Sequence, residues 1–176
     1  MIPFFLVPLP LGSEIVTATH MPSMIGSKIF KWCKPRECSY FMLYGFHSVC
    51  QISSSDAMAL NIGSASWQRT QIQYAYDAAQ QLGTGFKLFY SFDFTEMPCA
   101  LDDIVARVNQ FANHPNQFKY NGKVFISSFA GDCLGNGGWL SLKSQTNGYL
   151  MPFIWGLENQ FNTWSALDSW YWWVSL

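Results

Sequence analysis

The feature that most constrains the fold is an alternation of predicted strands and helices between Asp56 and Asp132. The sequence reads DAMALNIGSASW, TQIQYAYDAAQQLG, FKLFYSFDF, LDDIVARVNQFANHP and KVFISSFAGD, in the order strand, helix, strand, helix, strand. Near-continuous apolar strands, separated by helices whose apolar residues recur every three to four positions, are typical of a parallel sheet with crossover helices. The stretch therefore predicts an α/β fold built from repeated βα units.

The ends of these elements carry their own signals. Gly83 follows the first helix, in the position where glycine often ends a helix. Asp102 and Asp103 begin the second helix, where carboxylates interact favourably with the helix dipole, and we expect this role rather than a catalytic one. The dipeptide Asn121-Gly122 predicts a tight hairpin turn between FKY and KVFIS.

The rest of the chain extends the pattern less regularly. Residues 40–45 (YFMLYG), MPFIWG and LDSWYWW predict further strands, with short helices near 139–143 and 161–166. Residues 1–38 mix Pro, Met, Lys and Cys without a sustained period, which predicts an irregular segment. The chain has 176 residues, whereas a complete eight-unit barrel typically needs ~250. We therefore expect residues 39–176 to form a partial (β/α)8 TIM barrel with about five to six strands.

Composition indicates a neutral polar ligand. Charged residues make up 12% of the chain and aromatic residues 18%, with 8 Trp, while average chains carry roughly 25% charged residues. Aromatic rings stack on the C–H faces of sugars, so sugars are the favoured ligands; a large aromatic core is the alternative. A net charge of -1 without a basic run argues against nucleic acid. No phosphate-binding, dinucleotide-binding or zinc-protease motif occurs, so no cofactor is expected.

The cysteines leave two possibilities open. With 5 cysteines, at least one stays unpaired within the chain. Cys33 and Cys38 are spaced like half a zinc site, but no second pair follows, so no metal is expected. Cys99 and Cys133 each follow a predicted strand end on neighbouring strands, which predicts a disulfide between two loops if the protein is secreted. Two free, buried thiols are the alternative.

The first residues do not predict a membrane segment. MIPFFLVPLPLG is apolar, but no Lys or Arg precedes the apolar run and three prolines interrupt it. It lacks the features of a clear signal peptide and is too short to span a bilayer. No other segment reads as transmembrane, so we expect no membrane partner.

Candidate site residues follow the predicted strands. Asp93 comes after Tyr-Ser-Phe and Asp132 after Phe-Ala-Gly; because adjacent strands lie ~4.8 Å apart, both carboxylates could share a pocket. Cleavage of a glycosidic bond uses such a pair, which makes Asp93 and Asp132 catalytic candidates. The alternative for Asp93 is a strand-end residue that binds loop amides. Asn61 would bind sugar hydroxyls, and Trp67 and Trp155 would stack on sugar rings.

Four segments agree in order and spacing with one family: DAMALNIG, FKLFYSFDF, ANHPNQFKYNGKVFISSFAGD and LDSWYWW. They resemble the fungal α-1,3-glucanases, or mutanases, of glycoside hydrolase family 71, and the resemblance covers roughly residues 56–173. It implies a barrel fold, a polysaccharide partner and hydrolysis of α-1,3-glucan, generally described as inverting. It also implies an extracellular or cell-wall location; a monomer is expected.

The sequence departs from the family pattern in the first strand and in the motif that carries the catalytic pair. Tyr40 stands where the first strand of the family carries His. The resemblance places the catalytic pair in a downstream motif like N-D-Y-G-E-S, and this sequence ends at Leu176 without it. We therefore expect a truncated member in which Asp93 and Asp132 contact substrate and the catalytic residues are unknown. The alternatives are a non-catalytic glucan-binding remnant and a fragment without function.

Overall fold

A computed structural model of the chain describes residues 6–7, 57–83, 85–157 and 160–170. The strands are β1 (Leu6–Val7), β2 (Ala57–Ile62), β3 (Lys87–Asp93), β4 (Lys119–Tyr120), β5 (Lys123–Phe129) and β6 (Gly148–Phe153). The α-helices are α1 (Ser66–Leu82), α2 (Leu101–Phe111) and α3 (Gly135–Thr146). Short 3-10 helices span Asp132–Leu134 and Phe161–Thr163.

The strands β2, β3, β5 and β6 form a parallel sheet whose spatial order follows the chain order. Helix α1 connects β2 to β3, α2 lies between β3 and β5, and α3 connects β5 to β6. The short strand β1 adds antiparallel to β2, and β4 adds antiparallel to β5. The predicted α/β class and its repeated βα units are confirmed.

The two faces of the sheet bury different sets of residues. Residues aligned in neighbouring strands point to the same side, and successive residues alternate between the sides. The face that carries Ile62, Phe92 and Ile126 packs against the helices, in a core with Tyr76 of α1, Ile104 and Val108 of α2, and Trp139 and Leu142 of α3. The opposite face carries a second cluster, made of Ala57, Ala59, Phe89, Phe118 and Phe125. The four parallel strands are therefore apolar on both faces, which explains their near-continuous apolar sequences.

The hairpin between β4 and β5 forms where the sequence predicts it. Asn121 and Gly122 both have positive φ, 49° and 76°. Two central residues with positive φ match the right-handed twist of the flanking strands, which is why Asn-Gly favours this turn. The hairpin aligns Lys119 with Val124 and Tyr120 with Lys123.

The later elements differ from the prediction in length and type. Helix α3 is longer than the predicted 139–143, and the helix predicted at 161–166 is only the 3-10 turn Phe161–Thr163. The strand predicted from Leu167 is wrong over residues 167–170, which are irregular, because polar contacts from this segment join it to β6. YFMLYG, residues 171–173 and the predicted boundary after residue 38 lie outside the described residues; of residues 1–38, only β1 is described. No helix in the described ranges is long and apolar enough to cross a bilayer.

The segment NHPNQF forms a buried polar link between α1, α2 and the sheet. The Tyr76 hydroxyl of α1 donates to Gln117 Oε1 at 2.7 Å, and Gln117 Nε2 donates to the Phe118 carbonyl at 2.9 Å. The Asn116 side chain donates to the Phe86 carbonyl at 2.7 Å. Burial strongly raises the pKa of the Tyr76 hydroxyl, and Tyr90 adds to this, so the hydroxyl stays protonated and able to donate. The segment therefore has a structural role.

His114, in this segment, predicts a dependence of stability on pH. Burial lowers its pKa below the ordinary value of 6.5, although Asp77 opposes the shift, and Nδ1 accepts a hydrogen bond from the Asn116 N–H at 3.1 Å. The unfolded chain therefore binds the proton more readily, so the stability contributed by neutral His114 is complete above pH ~6.5 and is lost as pH falls towards the folded-state pKa. We expect the melting temperature to fall between pH 7.5 and pH 5 through this group.

The matched variant for this prediction is His114→Asn. An asparagine oxygen also accepts a hydrogen bond from the N–H two residues ahead, but it does not titrate. The variant should show a smaller loss of melting temperature between the two pH values than the native chain. An equal loss in both proteins would contradict the assignment to His114.

Candidate functional site

A row of polar residues lies near the ends of the parallel strands. The register aligns Asn61 of β2 with Ser91 of β3, Ser127 of β5 and Met151 of β6. This row lies on the face opposite the helices, next to the layer that contains Phe89. Both serines are buried and Asn61 is half-buried. On this face the apolar layer is therefore followed by the polar side chains of Asn61, Ser91 and Ser127. We define the last residues of the four strands, Ile62, Asp93, Phe129 and Phe153, as the carboxyl edge.

Asp93 lies at the carboxyl edge, two residues after Ser91 and on the same face. Its Oδ1 accepts hydrogen bonds from the Thr95 N–H at 3.1 Å and from the Thr95 hydroxyl at 2.5 Å. Oδ1 therefore binds the loop that follows the strand, which is the alternative that the sequence left open for Asp93. Among the described residues no hydrogen bond reaches Oδ2, so this oxygen can accept one from a ligand.

Three aromatic residues pack together at the carboxyl edge, and one of them, Phe129, neighbours Asp93. Phe129 is aligned with Asp93 in β3 and with Phe153 in β6. The ring centroid of Trp155 lies 4.6 Å from that of Phe153 and 6.0 Å from that of Phe129, in edge-to-face geometry. Trp155 is 54% exposed although it packs on two rings. We call Phe129, Phe153 and Trp155 the aromatic shelf; it presents an indole ring to solvent at the carboxyl edge.

Trp67 lies at the other end of the row. It is in the first turn of α1, shortly after β2 ends, and it is 49% exposed. Strand β2 carries Asn61, while the aromatic shelf belongs to β5 and β6. The structure therefore places the predicted residues Asn61, Asp93 and Trp155 along one edge, with Trp67 on the helix that follows β2.

Asp132 occupies a different environment from Asp93. It is the first residue of the 3-10 helix Asp132–Leu134, it is exposed, and it lies beyond the end of β5 rather than in the strand register. The next residue, Cys133, forms a disulfide with Cys99 in the loop that follows β3, with 6.1 Å between the Cα atoms. The Phe94 N–H also donates to the Phe129 carbonyl at 3.0 Å. The loops that carry Asp93 and Asp132 are therefore joined.

Asp103 lies in the first turn of α2, as predicted, and it pairs with two arginines. Its carboxylate accepts a hydrogen bond from Arg69 of α1 and another from Arg107 of α2, each at 2.8 Å. Burial acts to raise the pKa of Asp103, but the hydrogen bonds and charges of Arg107 and Arg69 outweigh it and lower the pKa. The carboxylate stays ionised and links two helices. In the part of the chain that the structure describes, no three His, Cys, Asp or Glu side chains converge on a possible metal site.

Sequence reasoning missed Ser91 and Ser127. They lie inside the runs FYSFD and FISSF, where a serine reads as a small residue in a buried strand. The available signal was the period of two: a serine two positions before a strand-end residue shares its face. Asp93 and Ser91 satisfy this relation in β3.

Comparisons with known proteins give a consistent result. The family model described as Glycosyl hydrolase family 71 matches residues 50–175. A glucan endo-1,3-alpha-glucosidase of Schizosaccharomyces pombe is 49% identical over 77 residues, which is 44% of this chain and 18% of the relative. A mutanase of Penicillium rubens is 38% identical over 93 residues, 52% of this chain and 20% of the relative.

A third relative is the ascus wall endo-1,3-alpha-glucanase of Schizosaccharomyces pombe, which is 31% identical over 83 residues, 47% of this chain and 19% of the relative. The aligned parts therefore span about a fifth of the length of these curated relatives. No solved structure matches the chain significantly.

Proposed function

This chain belongs to glycosyl hydrolase family 71, and we propose that it acts on α-1,3-glucan, as part of the machinery that hydrolyses this polysaccharide. The observation that carries the proposal is the carboxyl edge. There a carboxylate (Asp93), one oxygen of which accepts no hydrogen bond from a described residue, a half-buried amide (Asn61) and an exposed indole (Trp155) lie at or near the ends of β3, β2 and β6. Sugar hydroxyls need polar partners and pyranose rings need apolar faces, and this edge offers both.

The proposed architecture is a (β/α)8 barrel of which β2, β3, β5 and β6 are consecutive strands. Two observations support it. Spatial order follows chain order across all four strands, whereas doubly wound sheets reverse their order at a switch point. The three helices also pack in a single core on one face. In such a barrel the opposite face lines the interior, and the carboxyl edge belongs to the face where barrel enzymes bind their substrates.

Within that edge we assign contacts rather than chemical steps. Asp93 Oδ2 accepts a hydrogen bond from a sugar hydroxyl, Asn61 binds a second hydroxyl, and Trp155 stacks on a ring. Trp67 and Asp132 extend the contact surface. From β2 to β6 the strand spacing adds up to roughly 14 Å, so the row accommodates a glucan segment rather than a single sugar.

The proposed site of action is the fungal cell wall, outside the cell. One relative carries the ascus wall in its name. The Cys99–Cys133 disulfide supports this location, because disulfides form and persist in oxidising compartments.

The function is tested by binding to insoluble α-1,3-glucan together with release of reducing sugar. We expect the native chain to bind this glucan and not β-1,3-glucan. Trp155→Ala should weaken binding about tenfold, a loss of ~1.4 kcal/mol, because it removes the exposed ring. Leu140→Ala is the matched control, since Leu140 is an exposed apolar side chain on α3 and should leave binding unchanged.

The outcomes of this test distinguish glucan hydrolysis, glucan binding without hydrolysis, and no action on glucan. Absence of binding to α-1,3-glucan by the native chain would contradict the proposal. Binding without release of reducing sugar would identify a glucan-binding function. With release of sugar, Asp93→Asn should weaken binding about tenfold by removing a charged acceptor; abolished release at unchanged binding would instead make Asp93 a catalytic residue.

A further inference from the structure

Asp132 follows a backbone turn of unusual conformation. Ala130 has φ of 59° and Gly131 has φ of 126°. Positive φ is uncommon for a residue with a side chain and costs of order 1–3 kcal/mol when it persists. Ala130 is also buried, at 7% exposure, so the turn is not a loose surface excursion. Such a conformation persists only when the surrounding structure determines it.

Two buried side chains determine this turn. The Ser128 hydroxyl donates to the Ala130 carbonyl at 2.6 Å, and Trp139 Nε1 donates to the Gly131 carbonyl at 2.9 Å. Both donors have 0% exposure. Consecutive carbonyls of the strained turn are therefore each held by a side chain that belongs to a rigid element, β5 for Ser128 and α3 for Trp139.

Further contacts fix the same turn from the side of β3. The Phe94 ring lies edge-on to Trp139, with 6.1 Å between ring centroids. Gly131 lies between these two rings, so closely that a Cβ at this position would come within 2.7 Å of Trp139 and 3.1 Å of Phe94. The disulfide of Cys133 closes the other side of Asp132.

Asp132 follows this turn but takes no part in the hydrogen bonds that hold it. Asp132 is exposed, and no hydrogen bond from a described residue reaches its side chain. Packing alone does not require a strained turn to end in an exposed carboxylate. Backbone strain maintained by buried donors is a common property of ligand-binding sites, where it holds a group ready before the ligand arrives.

We propose that Trp139 and Ser128 are positioning residues for Asp132: through the Gly131 and Ala130 carbonyls they hold the turn that presents the Asp132 carboxylate to bound glucan. The inference rests on the proposed function and adds a mechanism to it. The ligand is a hydroxyl group of an α-1,3-linked glucose unit. Neither Trp139 nor Ser128 contacts the sugar, because both are fully buried.

The test is a double-mutant cycle read by calorimetric binding of a soluble α-1,3-gluco-oligosaccharide. Trp139→Phe keeps an aromatic ring and removes the indole donor; Ser128→Ala removes the other donor. We expect each variant, and Asp132→Asn, to raise Kd five- to tenfold. The double variant Trp139→Phe/Asp132→Asn should bind within about twofold of Asp132→Asn alone, because the tryptophan acts through the aspartate.

A structural role alone would give a different pattern. The matched control is Thr146→Val, which removes a buried hydrogen bond from the Thr146 hydroxyl to the Leu142 carbonyl in the same helix, at its other end. It should lower the melting temperature and leave Kd unchanged. Multiplicative effects of Trp139→Phe and Asp132→Asn on Kd would overturn the proposal, as would unchanged Kd in either variant.

The experiment distinguishes failure of the proposed glucan function from failure of the positioning role alone. If the native chain binds no oligosaccharide, the glucan function fails and the positioning role fails with it. If the native chain binds and Asp132→Asn binds equally well, only the positioning role is overturned. If Trp139→Phe does not fold, the Ser128→Ala cycle with Asp132→Asn decides by the same criterion.

Discussion

Replacing Gly131 by alanine is expected to lower the free energy of unfolding by about 3 kcal/mol. Two effects add. An alanine at φ of 126° lies outside the regions that residues with side chains adopt readily. Its Cβ would also come within 2.7 Å of the Trp139 ring, which cannot retreat because Trp139 is fully buried and donates to the Gly131 carbonyl. Denaturant unfolding measures the effect as a shift of the transition midpoint.

Gly122→Ala separates the two effects. Gly122 also has positive φ, 76°, but nothing lies within 4 Å of a Cβ placed there. This variant should cost only about 1 kcal/mol, from the backbone conformation alone. Equal losses in both variants would show that the contact with Trp139 is unimportant, and that the turn before Asp132 is not held as described.

The regular part of this fold is readable from the sequence because local signals agree with each other there. The period of the apolar residues in α1 and α2, the glycine after α1 and the Asn-Gly turn all specify the same structure. After Asp132 these signals weaken. Helix α3 begins with GNGG, a poor helix-forming sequence, and Trp139 and Leu142, both buried in the core, pack it in place. A helix whose packing overrides its propensity is difficult to delimit from sequence.

Part of the candidate site is likewise predictable from the sequence, and part is not. Sequence position alone indicates that Asn61 and Asp93 follow neighbouring strands. It does not indicate which Asp93 oxygen accepts the hydrogen bonds from Thr95. It also does not indicate that Ser91 and Ser127 lie on the same face as Asn61. In strands that are apolar on both faces, the residue pattern does not distinguish one face from the other. The turn at Ala130–Gly131 depends on donors from Ser128 and Trp139, and these contacts are tertiary.

Asp168 shows the largest gap between sequence pattern and structure. LDSWYWW reads as a strand, yet Asp168 works as a polar link between β6 and α3. Its Oδ2 accepts the Leu150 N–H at 2.9 Å, and its own N–H donates to the Leu150 carbonyl at 3.0 Å. Its Oδ1 accepts Lys143 Nζ at 2.8 Å, and the same ammonium donates to the Ala166 carbonyl at 2.9 Å. One carboxylate thus satisfies a strand amide and a lysine together.

Replacing Asp168 by alanine is therefore expected to cost about 2–3 kcal/mol of unfolding free energy. Removal of one partner from a buried ion pair typically costs 3–5 kcal/mol; the side chains here are 26% and 16% exposed for Lys143 and Asp168, so water offsets part of the loss. The Leu150 N–H loses its acceptor in addition. Chemical denaturation at neutral pH measures the total.

Two variants separate the contribution of the charge from that of the hydrogen bond to Leu150, and a third serves as an exposed ion pair for comparison. Asp168→Asn keeps an acceptor for the Leu150 N–H and removes the charge, so it should cost less than Asp168→Ala. Lys143→Met combined with Asp168→Asn removes both charges, and it should recover stability relative to Asp168→Asn alone, because no unpaired ammonium remains. Arg69→Ala breaks an ion pair whose arginine is 61% exposed and should cost at most about 1 kcal/mol. If Asp168→Ala costs no more than Arg69→Ala, the segment 166–170 is not held to β6 by this carboxylate, and the aromatic residues after β6 must supply the attachment instead.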